Sequence, residues 1–545
     1  MYARLAATLD PLIRSSPLRH ERFRRFYIGS VGTALGYTMQ ATVAAWLMAT
    51  LTPSELMVAL VQTASTLPSL AFGLVAGTLA DIVDRRRVVL FTQILLLSAS
   101  IVLGIATLAG IIGPVALLLL TFVIGLGFTF YIPAQQALVN DLVGRADLSK
   151  AVALAAVGFN VSRAVGPALA GAIAAWLGSG SAMLASAVFF IWMIFAVRGM
   201  PVQERALPGV PETLISGVQS GLRYLRHSPP LRSLVIRNLT FTICASSLWA
   251  LLPVIARDQL GLGAGGFGML LAFFGAGAIF GALWIPRHLQ KYSLNTVVTG
   301  ALLTWAVAGL IIALAPYLIV AIAGTCMAGA AWVSVHTSLS AGTQSSVPAW
   351  IRARAVSINF VAMQASLAVG SVIWGAIASA AGTRIALSIA AGVMVVLFVL
   401  SRRVRIALGS ESDVTGVPAP QMSIVDEPLP DDGPVLIQLE YRIEAADRDA
   451  FLRAIRAIET IRRRNGASSW RVFRDLEDEG RFVERFVVTS WAEYTRQRSR
   501  MTVTDRELQD RVTQLHRSHI PIRISRLIGV GPADIVSVRD KLPPH

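Results

Sequence analysis

Twelve runs of about 20 mostly apolar residues, the length needed to cross the hydrocarbon core of a bilayer, dominate this chain. They lie at 26–50, 57–80, 88–109, 113–139, 151–177, 182–197, 234–257, 266–285, 294–315, 317–341, 355–381 and 384–401. In lipid each segment must satisfy its own backbone amides, so such runs are helices and not open strands. Only 15% of the 545 residues are charged, against roughly a quarter in soluble domains. The fold class expected is therefore an all-α polytopic membrane protein. The two cysteines, Cys244 and Cys326, both fall inside apolar runs, and nothing implies a disulfide framework or a metal site. No nucleotide-binding loop of the G-x-x-x-x-G-K-[ST] kind occurs, so ATP does not drive the chemistry, and no cofactor is expected. Residues 1–25 are basic without a compact apolar core, and read as a cytoplasmic N-terminal segment in place of a signal peptide.

The basic residues give the orientation. Of 27 Lys and Arg before Pro434, 23 fall on one side once the N-terminus is placed in the cytoplasm. They cluster up to Arg25, at Arg85 to Arg87, at Arg145 and Lys150, from Arg198 to Arg232, at Arg287 and Lys291, at Arg352 and Arg354, and from Arg402 to Arg405. Arg257 and Arg384 fall outside and Arg163 and Arg237 lie within or near the membrane, which is the positive-inside pattern with both termini cytoplasmic. The formal charge of +16 thus reports topology, and a nucleic-acid partner is not needed to explain it.

The chain also repeats. VGRADLSKAVALAAVGFNVSRAVGPALAGAIAA, from Val143, aligns without a gap on VPAWIRARAVSINFVAMQASLAVGSVIWGAIAS, from Val347, at an offset of 204. The same offset carries Gly77 onto Gly281 and Leu79 onto Leu283. Two parallel six-helix halves are expected, at 26–197 and 234–405. The linker between them, 198–233, places Leu214, Val218, Leu222 and Leu225 at helical spacing, which predicts an amphipathic surface helix lying along the membrane.

Between the second and third runs the chain reads GTLADIVDRRRVV, with Gly77, Asp81, Asp84, Arg85, Arg86 and Arg87. Twelve helices in two parallel halves with this charged loop resemble the major facilitator superfamily. The family's loop pattern has a basic residue where Ile82 stands and a glycine where Asp84 stands. The DRRR ending, the NVSRAVGPALAG stretch and a soluble tail resemble the branch of enterobactin-type siderophore exporters, macrolide efflux pumps and transmembrane secretion effector transporters. That resemblance implies a transporter of the bacterial inner membrane, not an enzyme. Gly77 is expected to let another helix approach closely, and Asp81 to face the positive end of a partner helix, the eleventh by resemblance. The arginines are expected to pair with Asp81 or Asp84, so that the loop biases which mouth opens. The plainer alternative is a topology anchor. Asp81→Asn is expected to cut transport while leaving insertion intact.

The fifth run carries Asn160, Arg163, Gly166, Pro167 and Gly171. Exporters of the family keep a Gly-Pro signature here that is linked to proton-exchanging antiport; this chain has Ser162 and Ala170 where further glycines stand in that signature. Close helix packing is the alternative reading. Arg163 sits near a helix centre, where a charge costs about 2.5–3.5 kcal/mol, so it is expected to face the protein interior or water. There it would attract an anionic or catecholate-like substrate, or else bond another helix. Gln40, Gln62, Gln136, Asn238, His336 and Gln364 are the other candidate cavity residues, each also explained by packing hydrogen bonds. No Asp or Glu lies deep within a run, so proton coupling rests on the resemblance alone.

After Arg405 the character changes. Residues 406–434 read as a linker rich in Gly, Ser, Pro and Asp. From Val435, alternation in VLIQLEYRI marks a half-buried strand. Phe451, Ile455 and Ile458 mark a helix, SSWRVFR and RFVERFVVTSW a hairpin around EDEG, Thr504 to Glu507 a capping box, and IPIRISRLI a last strand. The order β-α-β-β-α-β predicts a ferredoxin-like domain over 435–530, followed by a tail at 531–545. This domain resembles the α+β barrels of antibiotic-biosynthesis monooxygenases, which implies a homodimer paired through the sheets. Trp470, Trp491, His516 and His519 would line a pocket if it were catalytic; no nucleophile–base pair emerges. Two readings stand: a secondary exporter of a small organic molecule, siderophore or drug-like, and a membrane-tethered enzyme or sensor acting through the tail.

Overall fold

The computed structural model describes residues 16–529, apart from 145–146, 201–213, 290, 404–405, 407, 419–421, 423, 425–426 and 518. Long helices account for the membrane part: α1 Glu21–Leu51, α2 Glu55–Ile82, α3 Arg85–Leu108, α4 Pro114–Leu142 and α5 Leu148–Arg198. After a short α6, Leu214–His227, come α7 Pro229–Val254, α8 Ala264–Leu289, α9 Leu294–Leu314, α10 Leu318–Ser345, α11 Arg352–Ala381 and α12 Thr383–Arg403. A π-turn, Ile255–Gln259, extends α7.

Among the described residues, ten helices are long and apolar enough to cross a membrane. Two of the twelve runs account for the difference. Helix α1 is not among the ten, because Ser, Thr, Tyr, Gln and Trp dilute its hydropathy. Runs 151–177 and 182–197 form the single helix α5, which at 1.5 Å per residue is roughly 75 Å long, more than twice the hydrocarbon thickness of about 30 Å. It is broken at Gly178, whose φ of 84° and ψ of 163° are not helical. Adding the repeat offset, 178 + 204 reaches Gly382, which has φ 89° and separates α11 from α12. Both breaks use a backbone conformation that only glycine adopts cheaply. The same register carries α4 onto α10 and the start of α5 onto that of α11.

The chain divides into two compact units. The first holds the long helices: residues 1–206, 235–340 and 359–405. Within it, Met39, Val43 and Leu47 of α1 pack with Leu96 and Leu103 of α3 and with Met183 and Phe190 of α5. The two halves touch through small residues. A Cβ at Gly171 would come within 2.8 Å of Gly268 Cα, and one at Gly275 within 2.5 Å of Ala164 Cα, so α5 and α8 approach backbone to backbone. On the other flank Ser379 Oγ of α11 accepts from Leu56 N of α2 at 3.1 Å, and Thr63 Oγ1 donates to Ala368 O at 2.9 Å.

The second unit holds residues 207–234, 341–358 and 406–545. Its sheet has the order β2-β3-β1-β4, all antiparallel, from β1 Val435–Arg442, β2 Ser469–Arg474, β3 Arg481–Val488 and β4 Arg523–Ile528. Tyr441 faces Phe482 in the register of β1 on β3. Helices α14 Arg448–Asn465, α15 Trp491–Ser499 and α16 Val503–Gln514 join these strands; a four-residue α13, Glu411–Val414, precedes them. Val435, Ile437, Leu439 and Tyr441 pack against Phe451, Ile455 and Ile458 of α14, which is the alternation read from the sequence. The capping box sits two residues earlier than expected, on Thr502 and Asp505, where Thr502 Oγ1 accepts from Asp505 N and Asp505 Oδ2 from Thr502 N. The segment read as a linker is tied down: Val417 N donates to Met501 O at 2.9 Å and Val503 N to Thr415 O at 3.0 Å.

Candidate functional site

Aromatic residues of α7 to α10 build a cluster inside the second half. Trp249 and Phe241 come from α7, Phe274 from α8, Trp305 from α9, and Trp332 and His336 from α10. Ring centroids lie 4.2 Å apart for Trp332–His336, 4.8 Å for Trp249–Phe274 and 5.5 Å for Trp249–Trp332. Phe241, Phe274, Trp305 and Trp332 are buried, whereas Trp249 and His336 are half-buried. Trp332 and His336 are four residues apart, hence on one helical face. Arg163 enters from the other half: its Cζ lies 5.7 Å from the centre of the Trp249 ring. Helix α5 aims it there because Ala164 and Gly171 bring that helix against α8. Trp249 Nε1 and His336 Nε2 are buried with no hydrogen-bond partner among the described residues.

Of the candidate cavity residues, Arg163 and His336 meet at this cluster. Gln40 does not: its Oε1 accepts from Ser186 Oγ at 2.7 Å, joining α1 to α5. Asn238 is 1% exposed, and its amide donates to Asn359 Oδ1 at 2.8 Å. Gln136 is exposed, and Gln62 and Gln364 are half-buried. Sequence reasoning misses Trp249, Trp305 and Trp332, since aromatic residues in apolar runs read as core. The available signal is the four-residue spacing of Trp332 and His336.

The rest of the fifth-run motif packs. A Cβ at Gly166 would come within 2.1 Å of Thr38 Oγ1, Pro167 O lies against Gly268, and Asn160 donates to Ala156 O of its own helix.

In the arginine loop Arg87 pairs with Asp84 as expected, whereas the Arg85 and Arg86 side chains turn to other partners. Asp84 caps α3, its Oδ1 accepting from Arg86 N at 2.9 Å. Arg85 Nη1 pairs with Asp141 Oδ2 at 2.8 Å and also donates to Ala137 O. Arg86 donates to Val197 O and Arg198 O, satisfying the carbonyl end of α5. Arg87 is exposed, 3.9 Å from Asp84 Oδ2. A Cβ at Gly77 would meet nothing within 4 Å among the described residues. The side chain of Asp81 lies outside the described residues. As described, the loop staples helix ends within one half: a cap is closer to hand for Asp84 than any distant helix.

In the second unit, Glu484 is fully buried. It accepts from Arg462 Nε at 3.0 Å, Trp470 Nε1 at 3.0 Å and Tyr441 OH at 2.9 Å. Burial pushes the Tyr441 phenol well above its usual pKa, and the Glu484 charge adds to that. His516 Nδ1 accepts from Arg442 N at 2.8 Å, fixing the end of β1; Trp491 is buried in the core and His519 is exposed. Among the described residues no group of three His, Cys, Asp or Glu suits a metal ion. The same unit joins the tail to α6 and to the segment between α10 and α11. Arg354 Nη1 donates to Ser220 Oγ at 2.7 Å, Arg464 Cζ lies 5.6 Å from the Tyr224 ring centre, and Arg500 Cζ 4.2 Å from that of Trp350. Tyr224 meets Trp350 edge-on at 5.7 Å. Thus one face of α6 is covered by protein, where the sequence reading laid the helix along the membrane.

Repeated bundles of apolar helices with a polar group held between the halves define a polytopic helical transporter of the major facilitator type. Among solved structures, a bacterial homologue of the human lysosomal transporter Spinster, inward-facing and unoccupied, superposes with a TM-score of 0.58 at 14% identity, covering 70% of this chain and 97% of its own. The sequence matches the transmembrane secretion effector family from residue 14 to residue 532, and the chain belongs to that family. The multidrug efflux pump Tap of Mycolicibacterium fortuitum is 28% identical over 375 residues, 66% of this chain and 90% of the pump. The staphyloferrin A transporter of Staphylococcus aureus strain NCTC 8325 / PS 47 is 23% identical over 251 residues, 45% of this chain and 62% of that protein.

Proposed function

We propose that this protein is a secondary exporter of a small organic molecule in the bacterial inner membrane, working by alternating access between its two halves. The observation that carries this reading is Arg163 of one half placed against Trp249 of the other, so that a ligand held there touches both moving parts. Twelve crossings fit it: α1 supplies one, and the break at Gly178, matched by Gly382, divides α5 into two. Contacts between the halves at Leu56–Ser379 and Gly171–Gly268 lie toward helix ends remote from the arginine clusters, which supports a form open on the arginine-rich, cytoplasmic side. Export is favoured over import by the likeness to Tap, an efflux pump; proton coupling is the drive the family implies. The siderophore reading draws on the more distant staphyloferrin relative.

The tail, whose strand order 4-1-3-2 fits a ferredoxin-like domain, acts in this reading as a brace, not a catalyst. Its arginines hold α6, the connection between the halves, and Trp350, just before α11. Pairing of two tails through the sheets belongs to the same proposal. The test compares secreted small molecules, by mass spectrometry, between the parent bacterium and a deletion strain, with and without iron limitation. A compound lost outside and accumulated inside is expected; unchanged profiles in both conditions, with unchanged drug susceptibility, contradict export.

A further inference from the structure

Arg163 makes no ion pair among the described residues; its neighbour is the face of the Trp249 ring. The groups that share this half-buried edge are Trp249 and His336, whose indole N–H and Nε2 have no partner among the described residues. Behind them stand the buried rings of Trp332, Phe241 and Phe274. Three of the described acidic side chains of the same unit are placed elsewhere: Asp141 on Arg85, Asp147 on Arg19, and Asp258 on Arg257 at the end of α7.

Three features of this edge select one chemistry. A guanidinium presents a rigid fork of donors that matches a carboxylate or phenolate. An indole N–H is a donor only, so its complement is an acceptor. A wall of edge-on and tilted rings favours a flat aromatic body over an aliphatic one. A cationic ligand would instead meet Arg163 at short range in a medium where like charges repel strongly. We propose that the edge formed by Arg163, Trp249 and His336 binds an aromatic organic anion, its acidic oxygens on Arg163 and the Trp249 N–H and its ring beside the half-buried His336. The inference rests on the transporter reading, because it assigns the substrate class of that site. It separates this chain from a pump for lipophilic cations, which would present a carboxylate in the same place.

Equilibrium binding tests it without requiring transport. The full chain, purified in detergent, is titrated calorimetrically with 1-naphthoate and with 1-naphthylmethylamine, which share a ring system and differ in charge. Naphthoate is expected to bind at least tenfold more tightly than the amine. Arg163→Gln is expected to weaken naphthoate at least tenfold without weakening the amine, Arg163→Lys to retain the preference for the anion, and Trp249→Phe to weaken naphthoate while leaving the sign of the preference intact. Equal binding of the two probes, a preference for the amine, or an unchanged naphthoate affinity in a monodisperse Arg163→Gln protein would overturn the assignment. Anion-selective binding in a protein that shows no export in cells would leave the site standing and count against the exporter reading instead.

Discussion

Glu484 meets three donors in a place that water does not reach. A carboxylate so buried is tolerated only because each donor is in place; removing one partner of a buried charged pair costs about 3–5 kcal/mol. Glu484→Gln keeps the shape and discards the charge that Arg462 needs. It is expected to lower the protection of β1 and β3 amides in hydrogen exchange by about that amount, with α1 to α5 unchanged. Tyr441 gives the same network a pH signature. Its phenol pKa is raised in the folded tail, so its contribution is complete below the free phenol value of about 10 and is lost as pH rises beyond it. Thermal scans of the full chain should show the tail weakening above about pH 10, and Tyr441→Phe should flatten that dependence.

At the scale of elements, the break in α5 rests on one residue. Gly178 adopts a φ,ψ pair that is essentially closed to side chains, at a cost on the order of 1–3 kcal/mol for any other residue. Gly178→Ala is therefore expected to lower the detergent melting point. Gly392, in the interior of α12, has no positive φ and open space where a Cβ would project. It should accept Ala without loss, because Ala is the better helix former. The helices themselves were legible because hydropathy and the 204-residue repeat are properties of single segments and of their spacing. The Gly178 break was only half legible: apolar runs 151–177 and 182–197 stop on either side of it, but φ is not written in composition. The partners of Arg85 and Arg86 were not legible at all, since Asp141 and the carbonyls of Val197 and Arg198 reach them only through the packing of α3 with α4 and α5. The same limit hid the aromatic cluster. Arg163 stood out as a charge in an apolar run, whereas Trp249 and Trp332 looked like any other core residue until α7 and α10 were seen side by side.

At the scale of the molecule, the tail adds a folded module to a two-half transporter. Arg500 is held by Glu493 Oε1 at 2.9 Å and by Asn465 O at 3.2 Å, so its stacking on Trp350 is preorganised. A desolvated cation–π contact of this kind is worth about 2 kcal/mol. Trp350→Ala is expected to raise amide exchange in α6 roughly tenfold, the factor that about 1.4 kcal/mol produces, without disturbing β1 to β4. If the tail is a brace, the same change alters transport rate at equal membrane levels; an unaltered rate with a loosened α6 would leave the tail a passenger.

Outward movement of a solute by this chain is measured most directly in inside-out membrane vesicles. They are prepared from cells expressing the full chain, energised, and given the compound that the deletion strain fails to secrete. Accumulation in the lumen that disappears in Arg163→Gln vesicles carrying the same amount of protein is expected. Equal uptake by vesicles with and without the chain would contradict it.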